Sequence, residues 1–414
     1  MDLFFSLEEI FGPISRIECN FMVHQINLLE LDKLSNRLLA QLFLTYPEKV
    51  DWAVGVYLID SQEVSISHRI IRHSNSVGEH HVYEVLDDNP IGQGCFGTLY
   101  LSILTLVPDK QSDELTVKTK SELQKRVIKI QNLKYFSKER AEREVDNLRK
   151  IGFFHCKPLS YTATETFITM RQLPGQPLQK IIETNQLTLL ERFQITKALV
   201  VALKKQVHDL DFIHRDIKPQ NILVYDHDII YFVDYALAIS THYDDRYDRL
   251  RGSIPFAAPE GFSPYDCTTI KSDVYALGRV LMMLWGDDYR NNPDFTPIDC
   301  AYSAKNVSFA RLFNRMAEIP ECHMELRLLL YSMLHEEPYH RPSLEHIMVV
   351  LNSLSERMQP VPNPTWDKRS DLLVSSGKPS SRDTAPAVLI LNNVHYSMDQ
   401  SEDSDEGYNE YYGF

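Results

Sequence analysis

The chain has 414 residues, which at about 150 residues per domain suggests two or three domains. Its 43% hydrophobic and 24% charged residues exclude wholesale disorder, and only 15 glycines exclude a collagen-like repeat. Lys+Arg 43 against Asp+Glu 57 leaves a net charge of −14, which argues against a broad surface for nucleic acid or for an anionic membrane.

Residues 1–79 read as a mostly helical N-terminal extension. Leu31, Leu34, Leu38 and Leu42 recur at three- and four-residue spacing, with Leu28, Leu39 and Phe43 widening the stripe. Such a stripe fits a helix packed on the next domain or, in a second reading, one that pairs two copies into a homodimer. Residues 52–59 read as a short strand, followed by a polar loop through Ser74-Asn75-Ser76. From 80 to 173 the period changes to two, with strands expected at 82–86, 99–106, 126–130 and 166–170 and one helix at 138–150. The polar stretch 108–125 reads as a solvated loop.

Residues 174–358 are mainly helical. Thr188-Leu189-Leu190-Glu191 is a capping box, and the helix it opens carries Phe193, Val200, Leu203 and Val207 along one stripe. Residues 273–285 are apolar nearly all round, the mark of a helix buried in a large domain. Further helices are expected at 324–334 and from Pro342-Ser343 onward. Residues 359–414 form a Pro/Ser-rich linker, a candidate strand at 387–394 and an acidic tail. No run approaches the ~18 apolar residues of a membrane span. The start, Met1-Asp2-Leu3-Phe4-Phe5, lacks the basic region of a secretory signal. Cys19, Cys95, Cys156, Cys267, Cys300 and Cys322 form no CxxC pair, so reduced thiols in a cytosolic setting are expected.

Four patterns carry chemistry. Gly92-Gln93-Gly94-Cys95-Phe96-Gly97 lets a backbone approach phosphates closely. Alone it is an ordinary glycine-rich turn, and its place between two strands disfavours a dinucleotide fingerprint, which needs a helix to follow. Lys129 stands inside the apolar strand Val127-Ile128-Lys129-Ile130; a lysine there could equally snorkel to water from an edge. Glu144 borders the apolar positions Val145 and Leu148 and is placed to meet a lysine, although helical glutamates are commonly just solvated. His214-Arg215-Asp216-Ile217-Lys218-Pro219-Gln220-Asn221 then joins a carboxylate, a lysine two residues on and an amide five residues on. Two apolar strands follow, the second delivering Asp234. Phosphoryl transfer needs such a set: a carboxylate for a hydroxyl proton, oxygen ligands for Mg²⁺, and positive charge on the moving group.

The ordered set resembles the eukaryotic-type Ser/Thr protein kinase family over roughly residues 80–358. That resemblance implies an α+β, two-lobed fold, with a small β-rich lobe at 80–173, a large helical lobe at 174–358 and ATP between them. It implies Gly92, Gly94 and Gly97 over the phosphates and Lys129 paired with Glu144 and the α/β-phosphates. Asp216 becomes the base, Lys218 steadies the γ-phosphate, and Asn221 and Asp234 hold Mg²⁺. Met170 falls at the gatekeeper position, residues 171–173 at the hinge, and Leu223 in the adenine pocket. Ala258-Pro259-Glu260 resembles the end of the activation segment, 272–278 the central helix, and Arg341 the late partner of Glu260. Lys218 and Gly252-Ser253 resemble the Ser/Thr branch.

The sequence departs from the family in places. Asp234-Tyr235-Ala236 replaces Asp-Phe-Gly, adding a hydroxyl that needs a partner and removing a residue that reaches φ > 0 cheaply. Less switching is therefore expected, with metal binding kept. Val127 stands where Ala is usual and narrows the adenine roof. Asp244, Asp245 or Asp248 is expected to supply the anion that Arg215 seeks, in place of a phosphorylated loop, with Thr241, Tyr243, Tyr247 and Ser253 as the alternatives. A protein substrate is implied, with neither nucleic acid nor a membrane span. The alternatives are a pseudokinase scaffold and a small-molecule kinase. The tail, Ser401 to Glu406 and then Tyr411-Tyr412-Gly413-Phe414, resembles that of bacterial type IV secretion substrates, which suggests an effector acting inside a host cell.

Overall fold

Alternating burial along short β-branched runs builds most of the first half of the chain into sheets. The computed structural model describes residues 24–74, 81–286 and 320–358, apart from 95–96, 110–111, 113, 119–124, 185, 247, 249–251 and 254–255. Residues 24–74 form β1 (His24–Ile26), α1 (Lys33–Thr45), β2 (Asp51–Trp52), β3 (Gly55–Ile59), β4 (Gln62–Ile66) and β5 (Ile70–Ser74). One helix and five strands correct the mostly helical expectation there. Of the leucine stripe, Leu34, Leu38, Leu39, Leu42 and Phe43 lie on α1 while Leu28 and Leu31 precede it, and Val64, Ile66 and Ile70 are buried strand positions. The expected single strand at 52–59 is split between two sheets, and the expected polar loop up to Ser74 contains β4 and β5.

Asp32 caps α1 by accepting from the Ser35 amide at 2.7 Å. The helix buries Leu38, Leu39, Leu42 and Phe43 in a core shared with Trp52, Tyr83, Val85, Leu104 and Leu106. The stripe on which the homodimer reading rested is thus packed mainly inside its own chain, although Leu34 is exposed.

The next elements are β6 (His81–Gly94), β7 (Gly97–Pro108), β8 (Leu115–Lys118), β9 (Arg126–Asn132), α2 (Lys138–Ile151), β10 (Ser160–Tyr161) and β11 (Glu165–Arg171). Strand β8 lies inside the stretch expected to be a loop; it pairs with β7, which shields one of its edges. The large sheet runs β10-β11-β9-β7-β6-β5-β2, with β8 also on β7. Because β5 pairs with β6, strands from either side of the boundary expected at 79/80 share one sheet. Ser137 caps α2, Glu139 sits in its first turn and Arg149 and Lys150 in its last, all suited to the helix dipole.

The described elements that follow are β12 (Gln176–Pro177), α3 (Leu178–Thr184), α4 (Leu189–Gln206), β13 (Phe212–Ile213), β14 (Ile222–Tyr225), β15 (Ile229–Phe232), β16 (Ile239–Ser240), α5 (Ile270–Leu284), α6 (Pro320–Met333) and α7 (Leu344–Met358). The Thr188–Glu191 capping box forms in both directions. Every residue from 272 to 284 on α5 is buried, so this helix is the post around which its neighbours pack. Arg341 seals it by a bidentate pair with Glu260 at 2.6 and 2.8 Å. Among the described residues no helix is long and apolar enough to cross a membrane. Cys156 and Cys267 are free thiols. The linker, the strand expected at 387–394 and the tail behind the effector reading lie outside the described residues.

Candidate functional site

Strand alternation puts Lys129 and Gln131 on one face of β9, and α2 lies across that face. Glu144 is 1% exposed, and its Oε1 accepts from Lys129 Nζ at 2.7 Å. The same ammonium donates to Asp234 Oδ1 at 2.6 Å, 105 residues further along the chain. Burial alone would pull the Lys129 ammonium down, but the Asp234 and Glu144 carboxylates outweigh it and hold the group above the ordinary lysine value. Burial opposes ionisation of Asp234 as well, yet Lys129, helped by Lys218 and His214, keeps its carboxyl below the usual range.

Residues 214–221 run between β13 and β14. Asp273, in the first turn of α5, accepts the backbone amides of His214 at 2.8 Å and Arg215 at 3.0 Å. This tethers the loop to the buried post and holds Arg215 at φ 64, a conformation rarely open to a side chain that size. Gly252 packs beneath it at φ 123, where a Cβ would meet the Arg215 carbonyl oxygen at 2.5 Å. Asp216 is then a hub. Its Oδ2 accepts from Lys218 at 2.7 Å and Asn221 at 2.9 Å, and its Oδ1 from Ser253 at 2.7 Å. Lys218 also reaches Ser253 Oγ at 3.0 Å.

These groups face one cleft of about 890 Å³, lined by Gly92, Gly94, Gly97, Lys129, Glu144, Met170, Lys218, Asn221, Leu223 and Asp234. Every site residue named from the sequence therefore lies on the cleft or, for Asp216, in direct contact with its lining. Val127 forms part of the wall, as its position implied. Gly97 allows β7 to cross close to β9: with φ 135, its Cβ would meet the Ile130 carbonyl oxygen at 2.6 Å.

The donor set suits magnesium. Asn221 gives its amide hydrogens to the Asp216 side chain and backbone, both at 2.9 Å, so the atom left over is an oxygen. Asp234 gives Oδ1 to Lys129 and keeps Oδ2. Two hard oxygens, with phosphate and water oxygens for the remaining positions, are what this ion takes.

Arg215 settles which aspartate it meets. Its guanidinium donates to the Leu237 carbonyl at 2.6 Å, to Asp245 at 3.1 Å and to Asp248 at 2.8 Å. Asp244 instead chelates Arg246, whose hydrogen bonds hold that carboxyl well below the usual range.

Tyr235 corrects an expectation. Its ring is fully buried, 4.7 Å from the His214 ring and 6.0 Å from Phe154, and its hydroxyl has no partner among the described residues. Burial pushes the phenol above its ordinary value. The pocket is shaped for an aromatic ring and does nothing for the oxygen, so Tyr235→Phe is expected to stabilise the protein by about 1–3 kcal/mol. Urea denaturation measures this; a lower midpoint would reveal a partner for the hydroxyl.

Several contributors were not singled out from the sequence. Gln131 and Thr166 complete the surroundings of Glu144, and Asn147 on α2 donates to the Ala238 carbonyl at 3.1 Å, joining that helix to the segment after Asp234. Gln131 could have been flagged, as a second polar residue two places from Lys129 in an apolar strand.

Residues 85–350 match the protein kinase domain family. The chain is 27% identical over 334 residues to the receptor-like kinase TMK4 of Arabidopsis thaliana, covering 73% of this chain and 33% of that protein. It is 32% identical over 158 residues to the serine/threonine-protein kinase PknH of Mycobacterium tuberculosis, covering 35% and 24%. With sperm motility kinase 3A of Mus musculus it shares 29% over 193 residues, covering 45% and 36%. The matched part thus spans between a quarter and a little over a third of these relatives' own lengths. With more than half of its length matched and the lysine, glutamate and aspartates gathered on one cleft, the chain belongs to the protein kinase domain family.

Proposed function

We infer that the protein transfers the terminal phosphate of ATP to serine or threonine hydroxyls of a protein substrate. One observation carries this reading: Lys129 binds Glu144 and Asp234 together on one wall of the cleft, while Lys218 and Asn221 converge on Asp216 at the other. Adenine enters between Val127 and Leu223, with Met170 behind it, and the hinge at 171–173 offers backbone groups. The amides around Gly92, Gly94 and Gly97 approach the phosphates. Lys129, aimed by Glu144, pairs with the α/β-phosphates. Asn221 and Asp234 would hold magnesium, which supplies charge neutralisation at the phosphates. Asp216 takes the proton of the attacking hydroxyl as its oxygen bonds to the γ-phosphorus and the bond to the β–γ bridging oxygen breaks. Lys218 follows the negative charge on the moving group. The Lys218–Ser253–Asp216 contacts and the similarity to a serine/threonine-protein kinase of Mycobacterium tuberculosis favour serine and threonine.

Incubation with γ-labelled ATP, magnesium and a generic basic protein, followed by phosphoamino-acid analysis, tests this. Label on serine or threonine is expected. Label on tyrosine alone would overturn the specificity. A folded chain that transfers nothing yet captures a partner protein would make it a scaffold.

A further inference from the structure

Helix α2 is held by more than its ion pair with Lys129. Gln131 lies on the same face of β9, 1% exposed, and donates Nε2 to Glu144 Oε2 at 2.8 Å while Lys129 takes Oε1. Each oxygen of one buried carboxylate is therefore gripped by a different side chain of one strand. The amide's orientation is dictated by its neighbours. Glu144 offers only acceptors, and Thr166, directly opposite on β11, donates its hydroxyl to Gln131 Oε1 at 3.0 Å. The stem of Gln131 also lies under the glycine-rich turn, where its Cγ would stand 3.1 Å from a Cβ at Gly97.

We propose that Gln131 is a positioning residue that holds Glu144, and with it helix α2, against β9 so that Lys129 stays aimed into the cleft. The proposal deepens the phosphate-transfer reading and rests on it for its kinetic consequence. Swinging α2 outward would leave the buried Gln131 NH₂ without its acceptor and leave Lys129 with Asp234 alone. Each lost buried partner is costly, which biases the helix inward without help from an outside protein. Replacing the amide by an apolar group of similar size removes one tether and leaves the core filled.

Gln131→Leu is expected to raise KM for ATP about tenfold or more with a smaller change in kcat, because the grip on the α/β-phosphates loosens before the base is touched. Independently of catalysis, amide hydrogen exchange across Lys138–Ile151 should quicken relative to the parent chain. Gln131→Glu supplies the reading that a merely structural role would not move. Protonated, the new carboxyl can donate to Glu144; ionised, it repels it. The activity ratio of this variant to the parent should therefore be highest at acid pH and fall as pH rises. Unchanged KM and unchanged exchange in Gln131→Leu, or a pH-independent ratio in Gln131→Glu, would overturn the proposal. If the parent transfers no phosphate, the kinase reading fails, and the exchange of α2 in the two variants still decides the role of Gln131. Should Gln131→Leu fail to fold, Thr166→Val, which frees the amide to rotate, should quicken the exchange of α2 to a lesser degree; parental exchange in that variant would count against the proposal.

Discussion

Asp216→Asn should lower the rate of phosphate transfer by about 10²–10⁴-fold, the usual contribution of a positioned base, with the fold unchanged. The substitution is nearly isosteric, and the site can absorb it. The amide oxygen can remain toward Lys218 and Asn221, which both donate to Oδ2. The new NH₂ then faces Ser253, whose hydroxyl can turn and accept instead of donating to Oδ1. What vanishes is the ability to take a proton and the negative charge beside the attacking hydroxyl. Nucleotide affinity should survive, since the glycine-rich turn, Lys129 and Glu144 are untouched. Single-turnover transfer combined with binding of a fluorescent ATP analogue separates the two effects. A variant that transfers at the parental rate would remove Asp216 from the role of base; one that also loses ATP binding would show a disrupted cleft.

Asp245→Ala should destabilise the protein by about 3–5 kcal/mol, because it breaks a buried charge pair from one side only. Asp245 is 0% exposed and accepts from Arg215 at 3.1 Å and from the Thr268 amide at 2.9 Å, with the Thr268 hydroxyl as a further donor. Through these contacts it ties the loop carrying the base to the segment before α5. Without it, Arg215 keeps Asp248 and the Leu237 carbonyl, while the Thr268 amide and hydroxyl lose their acceptor in a buried site. Since Arg215 is already matched by two carboxylates, treatment of the parent with a phosphatase is expected to leave its activity intact. Asp245→Ala should lose activity along with its urea midpoint. An unchanged midpoint in Asp245→Ala, or a parent silenced by the phosphatase, would refute this account.

Motifs were legible wherever their members sit close together in the chain. Asp216, Lys218 and Asn221 lie within six positions, so local geometry alone nearly obliges them to meet, and Lys218 and Asn221 both reach the carboxylate. Strand and helix positions from 80 to 358 were equally readable where periodicity was strong, as in β9 and α5. The extension was misread because a strong helical stripe over 31–43 drew attention from strands of five residues or fewer, whose alternation is too brief to stand out. Gln131 passed unnoticed because its partners, Glu144 on α2 and Thr166 on β11, arrive from elements whose packing a strand pattern does not encode.

The amino-acid order alone therefore specified the chemical inventory: the family, the eight-residue loop, the lysine in its strand and the late arginine. Several partners were resolved only on folding. Lys129 joins Asp234 across 105 residues, and Arg215 takes Asp245 and Asp248 in preference to Asp244. Tyr235 shows the same division, since its aromatic body was expected to pack but its stranded hydroxyl was not foreseen. The reason is physical. Periodicity reports which face of an element is dry, whereas a hydrogen bond needs two groups within about 3 Å, a distance set by how whole elements pack.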